Sequence, residues 1–317
     1  MPLSTGLALD TFFKNHDTGD SHPESPARIG AVQAELAFDG LLDQLTPLTS
    51  NAATDADVRL VHSTNYVHLV RDDVRFGTGM LSTGDTPLSD HSLEVALKAT
   101  GAVLGAVDDV IAGKVKNAFC AVRPPGHHAT PTRGMGFCIF NHIAIAARHA
   151  RQRHKMHKVL IVDFDVHHGN GTQDAFYHDG SVMFFSSHQS PWYPGTGKRD
   201  ETGTGKGLGC VINAPLPAGA GRDEVLGEME TRLLPAVQQF KPELVLVSAG
   251  FDSRHGDPLG DFTLTDQDFY DITRMLMAIA HDHCGDRLVS VMEGGYNLDG
   301  LARGVRAHVK ALAGLQF

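Results

Sequence analysis

The sequence predicts an α/β protein with a parallel sheet covered by helices on both faces. From about residue 90 onward, short β-branched apolar runs alternate with amphipathic stretches, the pattern of strands buried between two helical layers. The chain has no proline-rich linker, low-complexity tract or internal repeat, so its 317 residues read as one domain spanning 1–317.

Taken in order, residues 6–10 read as an N-terminal strand and 26–74 as a helical stretch packed beside the sheet, without a strong strand signal. Residues 92–112 form a helix before a strand at 118–122, and 141–153 a helix before a strand at 159–166. A strand at 182–187, a helix at 223–240 and a strand at 244–249 follow. Thr265 and Asp268 supply a capping-box start for a helix over 265–281, which leads to a last strand at 288–292.

The formal charge of −10 argues against a direct nucleic-acid or anionic-membrane binder and suits cationic partners. No apolar run reaches the length a bilayer requires, and residues 1–10 lack the features of a signal peptide. Cys120, Cys138, Cys210 and Cys284 form no CxxC pair, which fits reduced thiols and a cytoplasmic location. A homo-oligomer is compatible with the sequence.

In parallel sheets ligands gather beyond the carboxyl ends of the strands. Here those ends carry Arg123-Pro124-Pro125-Gly126-His127-His128, then Asp163-Phe164-Asp165-Val166-His167-His168-Gly169-Asn170, then Gly250-Phe251-Asp252 with Asp257-Pro258-Leu259, and Glu293-Gly294-Gly295-Tyr296. Any single Asp in such a place is ordinarily a cap or turn former. Their joint occurrence after four separate strands speaks against that reading. Asp165 and His167, two apart, can point the same way, and Asp252 supplies a third ligand, leaving the open position of a catalytic zinc site. His127 and His128 suit general base and acid, and the Tyr296 hydroxyl suits an oxyanion.

These motifs resemble the histone deacetylase and acetylpolyamine amidohydrolase superfamily. The resemblance extends from His22-Pro23-Glu24 through Gly136-Phe137-Cys138 and Tyr193-Pro194-Gly195 to Tyr296. It implies the single-domain arginase-deacetylase fold with an eight-stranded parallel sheet. It also implies Zn2+, replaceable by Fe2+, on Asp165, His167 and Asp252, with His128 as general base and acid and His127 as its electrostatic partner. Asp163 would orient His127, and Asn170 would orient His128 where class I relatives usually carry Asp. The Asn and the run of motifs look like class II deacetylases and their bacterial homologues. Tyr296 would polarise the acyl carbonyl; inactive class IIa relatives usually have His there.

Further positions follow from the same resemblance. Phe137 and Tyr193 would line an acyl-lysine channel, the second usually being Phe, so that the Tyr193 hydroxyl would contact substrate or face solvent. The Gly136 carbonyl would accept the scissile amide N–H. Asp85 would hold substrate backbone and Arg28 would belong to an acetate channel. Asp163 and Ser186 side chains, with the carbonyl of Ser187 among others, would hold K+. Leu259 stands where polyamine-selective relatives carry an acidic gatekeeper, which favours an acyl-lysine substrate over an acylated polyamine.

Rival readings are an acetylpolyamine amidohydrolase, a non-catalytic acyl-lysine binding protein and a binuclear ureohydrolase, which needs more acidic ligands than can be placed. The glycine-rich segment 203–209 matches neither a Walker motif nor a dinucleotide fingerprint. The basic segment 148–158, with His142, His149, His154 and His157, reads as a solvated helix face.

Overall fold

Eight parallel strands form one sheet in the order β2-β1-β3-β8-β7-β4-β5-β6. They are β1 (Thr5–Leu9), β2 (Thr46–Pro47), β3 (Asn117–Ala121), β4 (Val159–Asp163), β5 (Val182–Gln189), β6 (Val211–Leu216), β7 (Leu244–Ala249) and β8 (Leu288–Met292). The computed structural model describes residues 4–38, 40–49 and 51–317. Strands β3, β4, β7 and β8 are buried at every position, as the unbroken apolar runs require. These four are also consecutive in the sheet order, so their motif-bearing carboxyl ends share one edge.

The helices are α1 (Ala27–Phe38), α2 (Asp55–Val58), α3 (Thr64–Phe76), α4 (Ser92–Ile111), α5 (His142–Arg153), α6 (Asn170–Phe176), α7 (Arg222–Glu228), α8 (Leu234–Phe240), α9 (Asp266–Cys284) and α10 (Leu298–Leu312). Helix α10 packs between α1 and α9, while α4 packs on α5. Phe119 of β3 and His308 of α10 meet Phe251 in an aromatic cluster that Phe164 and Phe269 extend. At the start of α9, Thr265 N–H and Oγ1–H both donate to Asp268 Oδ2, at 2.8 and 2.7 Å.

Several elements depart from the sequence expectations. The strand expected over 159–166 stops at Asp163, and the next residues form the ligand loop. The segment 26–74 is not wholly helical, because Thr46–Pro47 pair with β1. Strand β6 was not expected; it contains Pro215, tolerated because β6 lies at the sheet edge. Helices α6 and α10 were also not anticipated. The stretch 223–240 is interrupted by a π turn at Met229–Leu233, just before Pro235, which has no N–H to give to the preceding turn.

The histidine-rich face is corrected too. His142 is fully buried, its Nδ1 2.9 Å from Thr100 Oγ1 and its Nε2 3.0 Å from the Pro124 carbonyl. His149 is buried against Asp108. Only the charged neighbours and His157 keep the solvated character.

Candidate active site

The loop after β3 is held by buried charge. Arg123 grips Glu24 through two bonds of 2.6 and 2.7 Å and donates to the carbonyls of Phe13 and His16. Burial alone would raise the Glu24 pKa, yet Arg123 and then Arg28 bring it down to about 2. Arg28 continues the network, donating from Nε to the Gly295 carbonyl at 2.8 Å and from Nη2 to that of Glu293. It is buried behind the site with its guanidinium 5.2 Å from the Tyr296 ring centre, and it does not line the cavity described below.

Glu293 fixes the turn that presents the histidines. Its Oε2 accepts the N–H groups of Gly126 and His127 at 2.6 and 3.1 Å, and its Oε1 accepts the Ser248 hydroxyl at 3.0 Å. The His127 and His128 rings lie 4.0 Å apart between centres. His127 Nδ1 meets Asp163 Oδ2 at 2.9 Å, and His128 Nδ1 meets Asn170 Oδ1 at 2.8 Å. An amide oxygen only accepts, so His128 carries its proton on Nδ1 and keeps the Nε2 lone pair free when neutral.

The two imidazoles are driven in opposite directions. Burial disfavours charge on His127, but Asp165 and Asp163 outweigh it and hold its pKa well above the usual 6.5. Burial, then the charges of His127 and His167, hold His128 well below 6.5. Adjacent groups split in this way are suited to separate roles, one charged and one a neutral base.

Asp165, His167 and Asp252 converge beside them. His167 Nδ1 is 3.1 Å from Asp165 Oδ1 and 3.1 Å from Asp252 Oδ2. A tetrahedral ion with bonds of about 2.0–2.1 Å places its ligands about 3.3 Å apart, so the donors stand close to ligating separation. The second carboxylate oxygens are occupied by backbone: Asp165 Oδ2 accepts Gly294 N–H at 2.8 Å and Asp252 Oδ1 accepts Val166 N–H at 3.0 Å. Gly294 is required there, since a Cβ would sit 1.9 Å from Asp252 Oδ2. Burial lowers the His167 pKa, but its bonds to Asp165 and Asp252 push it up to about 10, while burial and then Asp165 raise that of Asp252 to about 7. Two buried carboxylates around one imidazole thus call for a cation, and their N and O donors fit a divalent metal.

A cavity of about 220 Å³ opens onto this group, lined by His128, His167 and Tyr296 and, outward, by Gly136, Phe137, Tyr193, Trp192, Leu259 and Asp85. Gly136 has φ +57°, and a Cβ on it would lie 2.3 Å from the His128 ring. Asp85 Oδ1 accepts the Gly136 N–H at 2.7 Å, and the Tyr193 hydroxyl donates to Asp85 Oδ2 at 3.2 Å. That hydroxyl therefore engages the protein itself, an option the sequence did not suggest. Burial, then Asp252, raises the Tyr296 pKa well above 10, so its phenol keeps its proton.

Asp163 and Ser186 are direct neighbours in the β4–β5 register. The Asp163 oxygens are engaged by His127 and by Asp165 N–H, and Ser186 Oγ lies 3.0 Å from His188 Nδ1. Ser187 Oγ is buried without a hydrogen-bond partner.

Three residues at the site were not singled out in sequence. Glu293 was visible only as the first letter of its glycine motif. Trp192 donates its indole N–H to the Leu259 carbonyl at 2.9 Å. Asp257 Oδ1 accepts Leu259 N–H at 3.0 Å, while its Oδ2 accepts the N–H groups of Tyr296 and Asn297 at 2.7 and 3.1 Å. An Asp ahead of Pro258 after a strand is a recognisable local signal, but its distant partner is not.

Fold and site together define a parallel-sheet α/β protein with a metal-type ligand group at the base of a narrow cavity. The histone deacetylase domain model matches residues 22–312. The chain is 39% identical over 311 residues to the chloroplastic histone deacetylase 14 of Arabidopsis thaliana, covering 93% of this chain and 74% of that protein. It is also 39% identical to the polyamine deacetylase HDAC10 of Homo sapiens, covering 94% of this chain and 46% of that one. The crystal structure of the HDA15 HD domain superposes with a TM-score of 0.93 at 36% identity, covering 99% of this chain and 89% of that one. The chain belongs to the histone deacetylase family of hydrolytic enzymes, whose domain carries a catalytic metal. Among the described residues no helix is long and apolar enough to cross a membrane.

Proposed function

We propose that the chain, as one deacetylase domain over 1–317, is a zinc-dependent deacylase that hydrolyses the amide of an acyl-lysine side chain. The observation that carries this is the adjacent pair His127, hydrogen-bonded to Asp163, and His128, hydrogen-bonded to Asn170, beside the Asp165–His167–Asp252 group, with Tyr296 lining the same cavity. Zinc held by those three residues would polarise the acyl carbonyl and bring a water toward a pKa of roughly 7.

The protein's own groups do the rest. His128 Nε2 takes the proton of the attacking water and returns it to the leaving amine, with Asn170 fixing the tautomer. His127, held by Asp163, stays charged and favours negative charge on the reacting centre. The Tyr296 hydroxyl donates to the oxygen of the acyl group as charge develops there. Phe137 and Tyr193 flank the alkyl chain, and the Gly136 carbonyl receives the amide N–H. Asp85 holds substrate backbone at the rim, Arg28 supports Tyr296 from behind, and Asp163 and Ser186, with the carbonyl of Ser187, would hold K+.

Leu259 favours lysine over polyamine, because an apolar rim residue gives a second ammonium group no partner. The likeness to a human polyamine deacetylase keeps the polyamine reading as the alternative. All three ligands and Tyr296 are present, which disfavours a non-catalytic binding role. The four unpaired cysteines support a reducing compartment such as the cytoplasm. Metal analysis, with kcat/KM for an acetyl-lysine peptide against acetylspermidine, tests the proposal. A large polyamine preference would overturn the substrate assignment, and metal-independent turnover would overturn the mechanism.

A further inference from the structure

Asp108 of α4 faces two imidazoles from a neighbouring element. His149 Nε2, in the second half of α5, lies 2.7 Å from Asp108 Oδ1, and His154 Nε2, at the C-cap of α5, lies 2.5 Å from the same oxygen. Among the described residues only two groups of three His, Cys, Asp or Glu bring their donor atoms within 4.8 Å of one another. One is the catalytic group, and the other is this one. We propose that Asp108, His149 and His154 form a second divalent-metal site, for an ion of the zinc class, that clips α4 to the end of α5.

The convergence of both Nε2 atoms on one oxygen supports an ion more than a simple ion pair, for which one imidazole is enough. The other oxygen, Oδ2, is left to Arg153, which is 3.9 Å away on a mostly exposed side chain. Two imidazole nitrogens and one carboxylate oxygen select zinc, copper or nickel over calcium or magnesium, which prefer all-oxygen shells. The present separations are hydrogen-bond lengths. Zinc bonds of about 2.0–2.1 Å require them to open to about 3.3 Å, a side-chain shift of under about 1 Å.

The surroundings permit that shift. The His149 side chain is 7% exposed, His154 20% and Asp108 33%, so the group is sheltered on one flank and reachable by water on the other. A surface groove lined by Asp108 and His149 gives entry and room for water ligands. The backbone is held as well, since His154 N–H and Met156 N–H both donate to the Ala150 carbonyl at 3.2 Å.

The site is remote from the catalytic group. Asn141, which caps the opposite end of α5, contacts the His127 and Ala129 carbonyls. The 12 residues of α5 separate the two ends by roughly 18 Å. Its ion would therefore act on stability and leave the chemistry alone.

The test compares wild type with His154→Ala, a substitution at a partly exposed side chain, after equilibration with buffered micromolar zinc sulfate. Wild type should hold one more zinc per chain than the variant by elemental analysis. Its thermal midpoint should rise with zinc by several degrees, while that of the variant does not respond to this second equivalent. Deacylase kcat should be the same in both. Because the readout is the difference between two chains, it does not depend on what fills the catalytic group. His149→Gln repeats the test from the other ligand. Equal zinc content in wild type and both variants would overturn the site.

Discussion

The Tyr193 hydroxyl donates to Asp85 Oδ2 at 3.2 Å across the mouth of the cavity, while Asp85 Oδ1 holds the Gly136 N–H beside Phe137. One carboxylate thus ties together both aromatic walls. A hydrogen bond in this partly exposed setting contributes roughly 1 kcal/mol. Tyr193→Phe is expected to raise KM for an acetyl-lysine peptide about fivefold with kcat nearly unchanged, as steady-state kinetics will show; an unchanged KM would make the hydroxyl irrelevant to binding.

Asn170→Asp places a carboxylate against His128 Nδ1, now 2.8 Å from an uncharged amide. An anion there raises the imidazole pKa by about one unit or more. The base must be neutral to work, so the acid limb of the kcat/KM profile should move to higher pH by that amount. If the limb does not move, the base is another group.

Tyr296→Phe removes the donor and leaves the metal group intact. Loss of one such donor typically costs 10²–10³-fold in kcat, roughly 3–4 kcal/mol. Metal content should be unchanged by elemental analysis. Asp252→Asn, by contrast, should lose both metal and activity.

Leu259→Glu adds an anion at the cavity rim. Its kcat/KM for acetylspermidine relative to acetyl-lysine peptide should rise at least about tenfold, the equivalent of roughly 1.4 kcal/mol. A ratio that stays constant would show that this position does not set substrate charge.

Acid should destabilise the fold through histidines outside the catalytic group. Burial lowers the pKa of His62 to about 3, of His142 to about 4 and of His308 to about 3, from the usual 6.5. Each is neutral when folded and protonates more readily when unfolded. Stability is therefore full above pH 6.5 and falls as pH drops toward the folded values, by roughly 1.4 kcal/mol per histidine per pH unit. Denaturant titrations between pH 8 and 5 should show that loss, and His308→Gln should make the slope shallower.

The fold was legible where the sequence runs were unambiguous. The apolar strands β4, β7 and β8 carry their own signature, and their motif residues point to the carboxyl edge of the sheet. What escaped were elements whose identity depends on their place in the sheet. β6 reads poorly because Pro215 is admissible only on an edge, and β2 is two residues long. Within the site, the metal-type ligands and the histidine pair stood out because each follows a strand end. Glu293 and Arg123 were quoted within motifs, but their work lies in bonds to partners far along the chain, such as Glu24. The histidines of α5 misled for the same reason, since periodicity does not show that His142 meets Thr100 or that His149 meets Asp108.

Asp257 carries a consequence for how this enzyme can change. Its two oxygens hold the backbone of Leu259, on the cavity rim, and that of Tyr296, whose side chain lines the same cavity. Side chains at position 259 can vary while that clamp persists. Any insertion or deletion between Asp257 and Leu259, however, would displace the phenol as well as the rim. A point substitution at 259 thus leaves the clamp in place, whereas a change of loop length acts on the rim and on Tyr296 at once.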